Sequence, residues 1–371
     1  MIKIVAAAVA ALAVFFLIVM YIDNHRFVVR RYPVRSDRIR RAFRAVLIAD
    51  LHEKDYGNNN EKLIRRIREL EPDLILVGGD LLVSGIFTNR VRRQLGIKHM
   101  YEGEGMTPPP VEDNDWMKNS IPFAEALTQI APAYFVEGNH ELRLHYNACS
   151  EYERAFDKAL RNTGIHILDN KAVPVVIKGE DTGITLQGLN LPITYYEKFK
   201  RNILKREVVE KLIGRPDPKR FTVLLTHSPV YFDTYALWGA DLSLCGHVHG
   251  GLMRLPFIGG VMGTGPNLFP KYSGGLYEAE VKAGDERTGG GTGRETGEGT
   301  RGGTGGGTHE GTHERSDKRT GEGTRERSGK RTGTREARKM IVTCGLGAHT
   351  LPIRIFNPGE ITVLDFSPER I

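Results

Sequence analysis

The 371-residue sequence predicts an α/β fold, in which strands and helices alternate along the chain. An apolar run at 45–49 is followed by an amphipathic stretch at 61–70 and by a second apolar run at 74–77. The two runs have the length and composition of buried strands, and the stretch between them repeats its apolar residues with the period of a helix. Polar residues follow each strand directly, where α/β proteins place their functional sites.

Residues 1–22 are predicted to be a transmembrane anchor. Nineteen uncharged residues run from Ile4 to Ile22, close to the ~20 that cross the ~30 Å hydrocarbon core of a bilayer as a helix. A cleaved signal peptide is the alternative, but no small-x-small cleavage site follows the run and no Arg pair precedes it. An uncleaved anchor is therefore favoured.

The next segment, 23–44, is predicted to be an Arg-rich juxtamembrane segment. It contains eight Arg and two Asp, whereas only one charged side chain, a lysine, precedes the apolar run. The positive-inside rule then predicts a single-pass protein of the cell membrane whose following domain lies on the cytoplasmic side.

The catalytic domain is predicted to comprise residues 45–284 and 340–371. After the first two strands, the pattern predicts a helix at Phe123–Ile130, a strand at Ala133–Val136 and a turn at Gly138–Glu141, followed by strands at 221–225, 241–244, 339–343 and 361–366. A long polar connection at 85–119 is predicted to be a lid or substrate loop, with a plain surface insertion as the alternative.

Residues 285–339 are predicted to be a disordered insertion. Thr or Ser occurs at every fourth position from 288 to 332, with Gly, Arg, Glu and Lys between. This repeat has no aliphatic or aromatic side chain, so it cannot bury enough surface to offset the ~1–2 kcal/mol per residue that ordering a backbone costs.

Net charge makes a nucleic-acid substrate unlikely for the catalytic domain. The chain carries +7, but the basic excess lies in 23–44 and 285–339, and the remainder is mildly acidic. Enzymes that track a nucleic-acid backbone usually carry a basic groove. The three cysteines are too few for a disulfide framework and indicate buried thiols in a reducing compartment.

Five strand ends carry residues that can bind a metal. They are Asp50 with His52, Asp80, Asn139 with His140, His227, and His247 with His249. Because the carboxyl ends of neighbouring strands meet at one edge of a sheet, these side chains are expected to converge. Carboxylate and amide oxygens mixed with imidazoles suit Mn, Fe, Zn or similar divalent ions, and a bridging carboxylate is what a two-metal hydrolytic site requires.

The order of these motifs resembles that of the calcineurin-like metallophosphoesterases. Asp-x-His, Gly-Asp, Gly-Asn-His-Glu, a lone His after a strand and Gly-His-x-His occur in sequence. The resemblance implies a two-sheet β-sandwich flanked by helices, in four αββα layers. The apolar amino-terminal segment and the Gly345–Arg354 run resemble the bacterial membrane-associated branch.

The resemblance also implies a role for each motif residue. The first of two divalent ions would be held by Asp50, His52 and His249, and the second by Asn139, His227 and His247, with Asp80 bridging them. His140 would be the catalytic residue that protonates the leaving group. Two such ions lower the pKa of a shared water and stabilise the phosphoryl oxygens in the transition state.

One position departs from the family pattern. Many members have an Asp three residues after the Gly-Asp motif, where it orients the catalytic histidine, and here that residue is Val83. Glu141 or Ser84 could orient His140 instead. Arg354 could contact a substrate phosphate, and an exposed arginine without function is the simpler interpretation.

Together these features predict a membrane-anchored, dinuclear metal-dependent phosphoesterase. Its substrate would be a phosphoester or pyrophosphate, and the membrane segment favours a lipid-linked or nucleotide-linked one. The alternatives are a nuclease, a protein phosphatase, or a metal-binding scaffold with little turnover. The expected partners are a phosphorylated small molecule or lipid and the membrane, and the sequence does not indicate an oligomeric state.

Overall fold

The computed structural model describes residues 1–84, 114–146, 150–197, 202–263, 267–282, 335–348 and 352–369. Most of the predicted lid or substrate loop, 85–119, and most of the predicted repeat, 285–339, lie outside the described residues. The described chain has one helix long and apolar enough to cross a membrane, α1 (Ile2–His25), with a mean hydropathy of 2.8 over 18 residues. A signal sequence has the same properties, so the helix alone does not identify an anchor.

The first sheet has six strands and leads into three of the five predicted metal-binding turns. In spatial order its strands are β1 (Phe27–Ser36), β14 (Gly359–Pro368), β2 (Phe43–Ile48), β3 (Leu74–Val77), β4 (Ala133–Phe135) and β5 (His166–Ile167). Strands β2, β3, β4 and β5 are parallel to one another, while β14 is antiparallel to β2. The turns after β2, β3 and β4 therefore open at the same edge.

The second sheet also has six strands and leads into the other two turns. In spatial order these are β12 (Gly275–Lys282), β13 (Arg335–Val342), β9 (Leu242–Cys245), β8 (Phe221–Thr226), β7 (Glu180–Leu189) and β6 (Ala172–Ile177). The four inner strands are parallel and the two edge strands are antiparallel to their neighbours. A small hairpin of β10 (Arg254–Leu255) and β11 (Gly259–Gly260) follows β9.

The two sheets pack face to face and helices cover their outer faces, which confirms the predicted four-layer fold. The α-helices in the described part of the domain are α2 (Glu61–Glu69), α3 (Ser120–Thr128), α4 (Asn139–Tyr146), α5 (Ser150–Asn162), α6 (Arg206–Ile213) and α7 (Phe232–Trp238). Successive residues of β2 face opposite sides: Leu47 joins Leu225 of β8 in the core between the sheets, whereas Val46 joins Phe123 of α3. Leu224, the neighbour of Leu225, packs on the α7 side.

The catalytic domain begins earlier than the sequence predicted. Strand β1 lies inside the predicted juxtamembrane segment and pairs with β14 along its whole length. The prediction of a domain start at residue 45 is wrong. The many arginines of the 23–44 segment masked the alternation of buried and exposed residues that a strand has. Arg31 and Arg35 are exposed, while Val34 and Ser36 between and after them are buried, which is the alternation of an edge strand.

Several arginines of the 23–44 segment pair with acids of the domain. Arg40 contacts Asp181 at 2.6 Å, and Arg220 of the domain binds the same carboxylate through two nitrogens at 2.7 and 2.9 Å. Arg44 contacts Asp365 at 2.7 Å. The segment is therefore attached to the body of the protein, although exposed pairs of this kind contribute only ~0–1 kcal/mol each.

Two further boundaries are corrected. Strand β13 begins at Arg335, so the domain resumes five residues before the predicted restart at residue 340. The predicted turn at Gly138–Glu141 is the start of α4. The Glu141 side chain accepts the Gly138 backbone N–H at 2.9 Å, which is the contact that a Glu in the first turn makes in a capping box.

Candidate metal centre

The first group of potential ligands lies at the ends of β2, β3 and β9. Asp50, His52, Asp80 and His249 each offer one ligand atom, and these atoms lie within 4.8 Å of one another. The Nε2 atoms of His52 and His249 are 3.1 Å apart, and Asp80 Oδ2 is 3.5 Å from His52 Nε2. Four buried donors at this separation could hold one divalent ion.

The second group shares Asp80 with the first. Asp80, His227 and His247 form it, with Asp80 Oδ2 at 3.1 Å from His227 Nε2 and His247 Nδ1 at 3.2 Å from the same nitrogen. Because Asp80 belongs to both groups, its carboxylate has the position of a bridge between two ions. A shared carboxylate of this kind is the arrangement of two-metal hydrolytic sites.

Asn139 lies at the start of α4, in the turn that contacts Asp80. It is buried, and among the described residues its Oδ1 has no hydrogen-bond donor. The next residue, His140, donates its backbone N–H to Asp80 Oδ1 at 2.8 Å. A buried amide oxygen without a donor is costly unless a cation or water binds it, so Asn139 and the imidazoles and carboxylates beside it fit a divalent metal pair.

Backbone carbonyls fix the orientation of two of the histidines. His227 Nδ1 lies 2.7 Å from the Gly78 carbonyl oxygen, and His249 Nδ1 lies 3.1 Å from that of Gly347. A carbonyl can only accept, so each Nδ1 carries a proton, and Nε2 is the nitrogen that a neutral ring could offer to a metal ion.

The backbone is strained at five of the candidate ligands. Asp50, His52, Asp80, His247 and His249 all have a positive φ, between 48° and 74°. This left-handed region is uncommon for residues other than glycine and persists where the surrounding structure enforces it. These backbone conformations direct side chains from separate turns toward the same point.

Glycine is required where two of these turns approach each other. A Cβ on Gly138 would lie 2.1 Å from Asp80 Oδ1 and 2.6 Å from the Asp80 nitrogen. Gly79 has a φ of +88°, and a Cβ there would lie 2.4 Å from the Gly138 nitrogen. The turns after β3 and β4 therefore pack backbone against backbone, which brings Asp80 next to Asn139.

Burial and close charges shift the pKa values in the centre. Burial raises the pKa of Asp50 to about 7 and lowers that of His52 to about 4. Burial also opposes ionisation of Asp80 and His227, but their mutual attraction prevails. It holds the pKa of Asp80 well below its usual range and raises that of His227 to about 9. Perturbed groups clustered in this way are typical of functional sites.

Ser84 orients His140. The Ser84 backbone N–H donates to His140 Nδ1 at 2.9 Å, and its Oγ lies 3.0 Å from the same atom. Val83 occupies the position where many family members have an Asp, and Ser84 and Glu141 were the candidates to replace it. Ser84 is the one that contacts the His140 ring. Because Nδ1 accepts from the backbone, the imidazole proton is placed on Nε2, and the ring lies 4.6 Å from that of His52 between centroids.

Glu141 connects two of the site's turns instead of orienting His140. Its carboxylate accepts the backbone N–H groups of Asp80 at 2.9 Å, Leu81 at 2.8 Å, Leu82 at 3.4 Å and Gly138 at 2.9 Å. Burial raises the pKa of this carboxyl to about 8, and the backbone donors oppose the rise because they bind the ionised form. The side chain holds the Gly-Asp motif against the Gly-Asn-His-Glu motif.

Arg354 is not an exposed arginine, and that expectation is wrong. Its side chain is 2% exposed and donates to the carbonyls of Cys344 at 3.1 Å and Gly345 at 3.2 Å, and also to that of Gly347. Gly347 is the residue whose carbonyl faces His249. Arg354 therefore supports the turn behind a candidate ligand, and its contacts are with backbone carbonyls.

Sequence reasoning missed a connection between α1 and the centre. Asp23, in the last turn of α1, is fully buried and accepts the Asn357 backbone N–H at 2.9 Å. The Asn357 side chain in turn donates to the His249 carbonyl at 2.7 Å. A carboxylate so close to an apolar helix was the one signal in the sequence that pointed to this contact.

Tyr196 was also missed. It is buried beside the second group, with its ring centroid 5.3 Å from that of His247 and 5.9 Å from that of His227. Burial raises its pKa well above the usual range, so the hydroxyl stays protonated. Tyr196 follows Tyr195 in a short stretch without strand or helix periodicity, so no pattern in the sequence indicated this position.

The chain is similar in sequence to two proteins of Bacillus subtilis. The chain is 23% identical to the uncharacterized metallophosphoesterase YkuE of Bacillus subtilis over 263 residues, which cover 70% of this chain and 76% of that protein. It is 22% identical over 214 residues to the uncharacterized protein YpbG of the same organism, covering 57% of this chain and 63% of that protein.

Two solved structures resemble parts of the chain more distantly. A dimetal phosphatase from Danio rerio is 12% identical, with a TM-score of 0.30, covering 57% of this chain and 83% of that one. A 5'-nucleotidase precursor from Thermus thermophilus is 16% identical, with a TM-score of 0.30, covering 58% of this chain and 43% of that one.

A sequence model of the calcineurin-like phosphoesterases matches residues 43–251, more than half of the chain, from β2 to the turn that contains His249. That range contains both groups of potential ligands and His140. The chain belongs to the calcineurin-like phosphoesterase family and is a metal-dependent phosphoric ester hydrolase.

Proposed function

We propose that the protein is a membrane-anchored dinuclear phosphoesterase that hydrolyses a phosphoester or pyrophosphate bond of a lipid-linked or nucleotide-linked substrate. The observation that carries the proposal is the pair of ligand groups that share Asp80. The apolar helix α1 and its contact with the domain through Asp23 support the anchoring.

In this proposal each side chain at the centre has one task. Asp50, His52 and His249 bind one divalent ion, Asn139, His227 and His247 bind the other, and Asp80 binds both. When bound, two such ions supply Lewis-acid activation of water and of the phosphoryl oxygens. Mn²⁺, Fe and Zn²⁺ all suit this mixture of nitrogen and oxygen donors.

His140 is proposed to donate a proton to the leaving oxygen. In the neutral ring Nδ1 accepts from the Ser84 backbone and the single proton is on Nε2. Proton transfer requires the imidazolium form, in which Nδ1–H would donate to Ser84 Oγ at 3.0 Å, and loss of the Nε2 proton then leaves a neutral ring. A departing alkoxide needs that proton most, whereas nucleotide or aryl leaving groups need it least. The rate on a poor leaving group is therefore expected to depend more strongly on His140.

Replacement of one residue at a time tests these roles. The full-length protein in detergent with Mn²⁺ is assayed on bis-aryl and mono-aryl phosphates, and bound metal is measured by mass spectrometry. Asp80→Asn is expected to lose metal and activity, whereas His140→Ala keeps metal and loses rate. His166→Ala, an exposed histidine on β5, is the matched control and keeps both. Loss of metal from His140→Ala would contradict its proposed role.

The cytoplasmic location of the domain is also a proposal. It rests on the excess of arginines after α1 over the single lysine before it. Protease treatment of sealed inside-out and right-side-out vesicles tests it. Digestion of the domain only in inside-out vesicles is the expected result, and digestion only in right-side-out vesicles would reverse the orientation.

A further inference from the structure

An exposed apolar patch lies on the segments that follow the candidate metal centre in the chain. Its members, which we call the hairpin patch, are Phe257, Ile258, Leu268, Phe269 and Phe356, whose exposures range from 43% to 101%. Contiguous exposed apolar side chains on a soluble surface usually mark an interaction site.

The backbone makes the patch more unusual. Phe257, Phe269 and Phe356 all have a positive φ, between 52° and 65°. Turn positions of this kind normally carry Gly, Asn or Asp, because a large side chain is sterically strained there. An exposed apolar side chain does not offset that strain by burial. Three exposed phenylalanines at such positions indicate turns whose aromatic side chains have a use outside the domain.

Backbone hydrogen bonds join these turns into one unit. The Arg254 N–H donates to the Ile355 carbonyl at 3.0 Å, which attaches the β10–β11 hairpin to the segment that contains Phe356. The Phe269 N–H donates to the Val261 carbonyl at 2.8 Å, which attaches the next turn to the same hairpin. The aromatic side chains are thus presented on a common support.

One member of the hairpin patch, Phe356, contacts α1. The Phe356 ring centroid lies 6.4 Å from that of Phe15 and 6.3 Å from that of Phe16. Asn24 of α1 donates its side-chain N–H to the Pro352 carbonyl at 2.8 Å. The segment that ends in Phe356 therefore runs beside the second half of the helix.

The position of this contact along α1 sets its depth. Phe16 precedes Ile22, the last residue of the predicted span, by six residues, which is about 9 Å along a helix that rises 1.5 Å per residue. Interfacial protein segments bury their apolar side chains about 5–10 Å into the boundary between headgroups and acyl chains. A membrane that surrounds α1 would therefore also contain Phe356.

We propose that the hairpin patch inserts into the leaflet through which the end of α1 passes, so that the lipid bilayer is its binding partner. The inference rests on the proposed membrane anchoring of α1. Because His249 lies in the turn that leads into β10, the insertion would hold the metal centre close to the lipid headgroups. A phosphate carried by a membrane lipid would reach the centre from that surface more readily than a soluble nucleotide.

Depth-dependent fluorescence quenching tests the proposal. The full-length protein is reconstituted into vesicles of phosphatidylcholine and phosphatidylglycerol that carry acyl-chain bromines. Three variants each receive one tryptophan: Phe257→Trp in the hairpin patch, Leu12→Trp in α1, and Val176→Trp on β6, where the residue is half-exposed. The two native tryptophans are buried and contribute the same background to all three. Phe257→Trp and Leu12→Trp are expected to lose most of the added emission, and Val176→Trp to keep it.

The variants separate failure of this inference from failure of the anchor. Quenching of Leu12→Trp without quenching of Phe257→Trp would overturn the hairpin insertion and leave the anchor intact. If neither is quenched, α1 is not a membrane span, and the inference falls with it. A blue-shifted but unquenched Phe257→Trp would mean that protein covers the patch, from this chain or a second copy, which also overturns the proposal.

Discussion

Replacement of Glu141 by Gln tests how the two central turns are held together. The carboxylate accepts four backbone N–H groups, two on each oxygen. An amide of the same shape can accept on one side only. In its better orientation the amide oxygen keeps the donors of Asp80 and Gly138, and its NH₂ faces the N–H groups of Leu81 and Leu82.

The expected cost follows from these contacts. Loss of the short bond from Leu81 leaves a buried donor unsatisfied, which costs ~1–3 kcal/mol. We expect Glu141→Gln to lower the free energy of unfolding by about 2 kcal/mol, or the Tm by about 4–8 °C for a domain of this size.

Thermal unfolding at about pH 6 measures this effect, because burial raises the pKa of Glu141 to about 8 and the folded parent then carries a neutral carboxyl whose hydroxyl oxygen can still accept from Leu81. The parent loses stability as pH rises through 8, so the deficit of the variant should shrink at about pH 9. Glu125→Gln, an exposed glutamate of α3, is the matched control and is expected to stay within ~0.5 kcal/mol of the parent. If Glu141→Gln unfolds at the same temperature as this control, the carboxylate does not hold the turns together.

Three further substitutions probe the centre and the fold. Gly138→Ala would place a Cβ 2.1 Å from Asp80 Oδ1, so it is expected to lower the metal content, and full metal occupancy would contradict the backbone packing. Ser84→Ala keeps the backbone donor to His140 and removes one contact of ~1 kcal/mol. It is expected to lower kcat about fivefold with unchanged KM and metal content, and an equal rise in KM would argue against a positioning role. Hydrogen bonds from Arg220 lower the pKa of Asp181 from 3.8 to about 2. The stability that the ionised carboxylate contributes is therefore lost as pH falls through that range. The advantage of the parent over Asp181→Asn in urea unfolding should therefore shrink between about pH 4 and 2, and a constant difference would show that the pair does not titrate in this window.

The residues that converge at the centre could be predicted because each follows an apolar strand directly. Parallel strands bring their carboxyl ends to one edge, and this rule alone places Asp50, Asp80 and Asn139 together. The identity of the family was equally accessible, since the five motifs occur in a fixed order and a family match covers them. These features depend on local sequence and on the geometry of parallel sheets.

The contacts behind the centre were harder to predict, because they involve backbone groups or side chains that leave no pattern in the sequence, and for His140 the sequence could only offer Ser84 as one of two candidates. Arg354 supports a turn through backbone carbonyls, which have no sequence signature. Ser84 contacts His140 across 56 positions. Strand β1 was hidden because charged side chains occupied its exposed face, and the composition of the 23–44 segment masked its periodicity.

If α1 anchors the protein as proposed, the burial of Asp23 has a consequence for its release from the membrane. A protease that cuts just after α1, at His25, would remove the carboxylate that accepts the Asn357 N–H, and Asn357 is the residue that holds the His249 carbonyl. Shedding would thus change the coordination environment as well as the location of the protein. A trimmed form that keeps full metal affinity is expected to retain the last turn of the helix, so the proposed attachment and the metal site depend on the same residues.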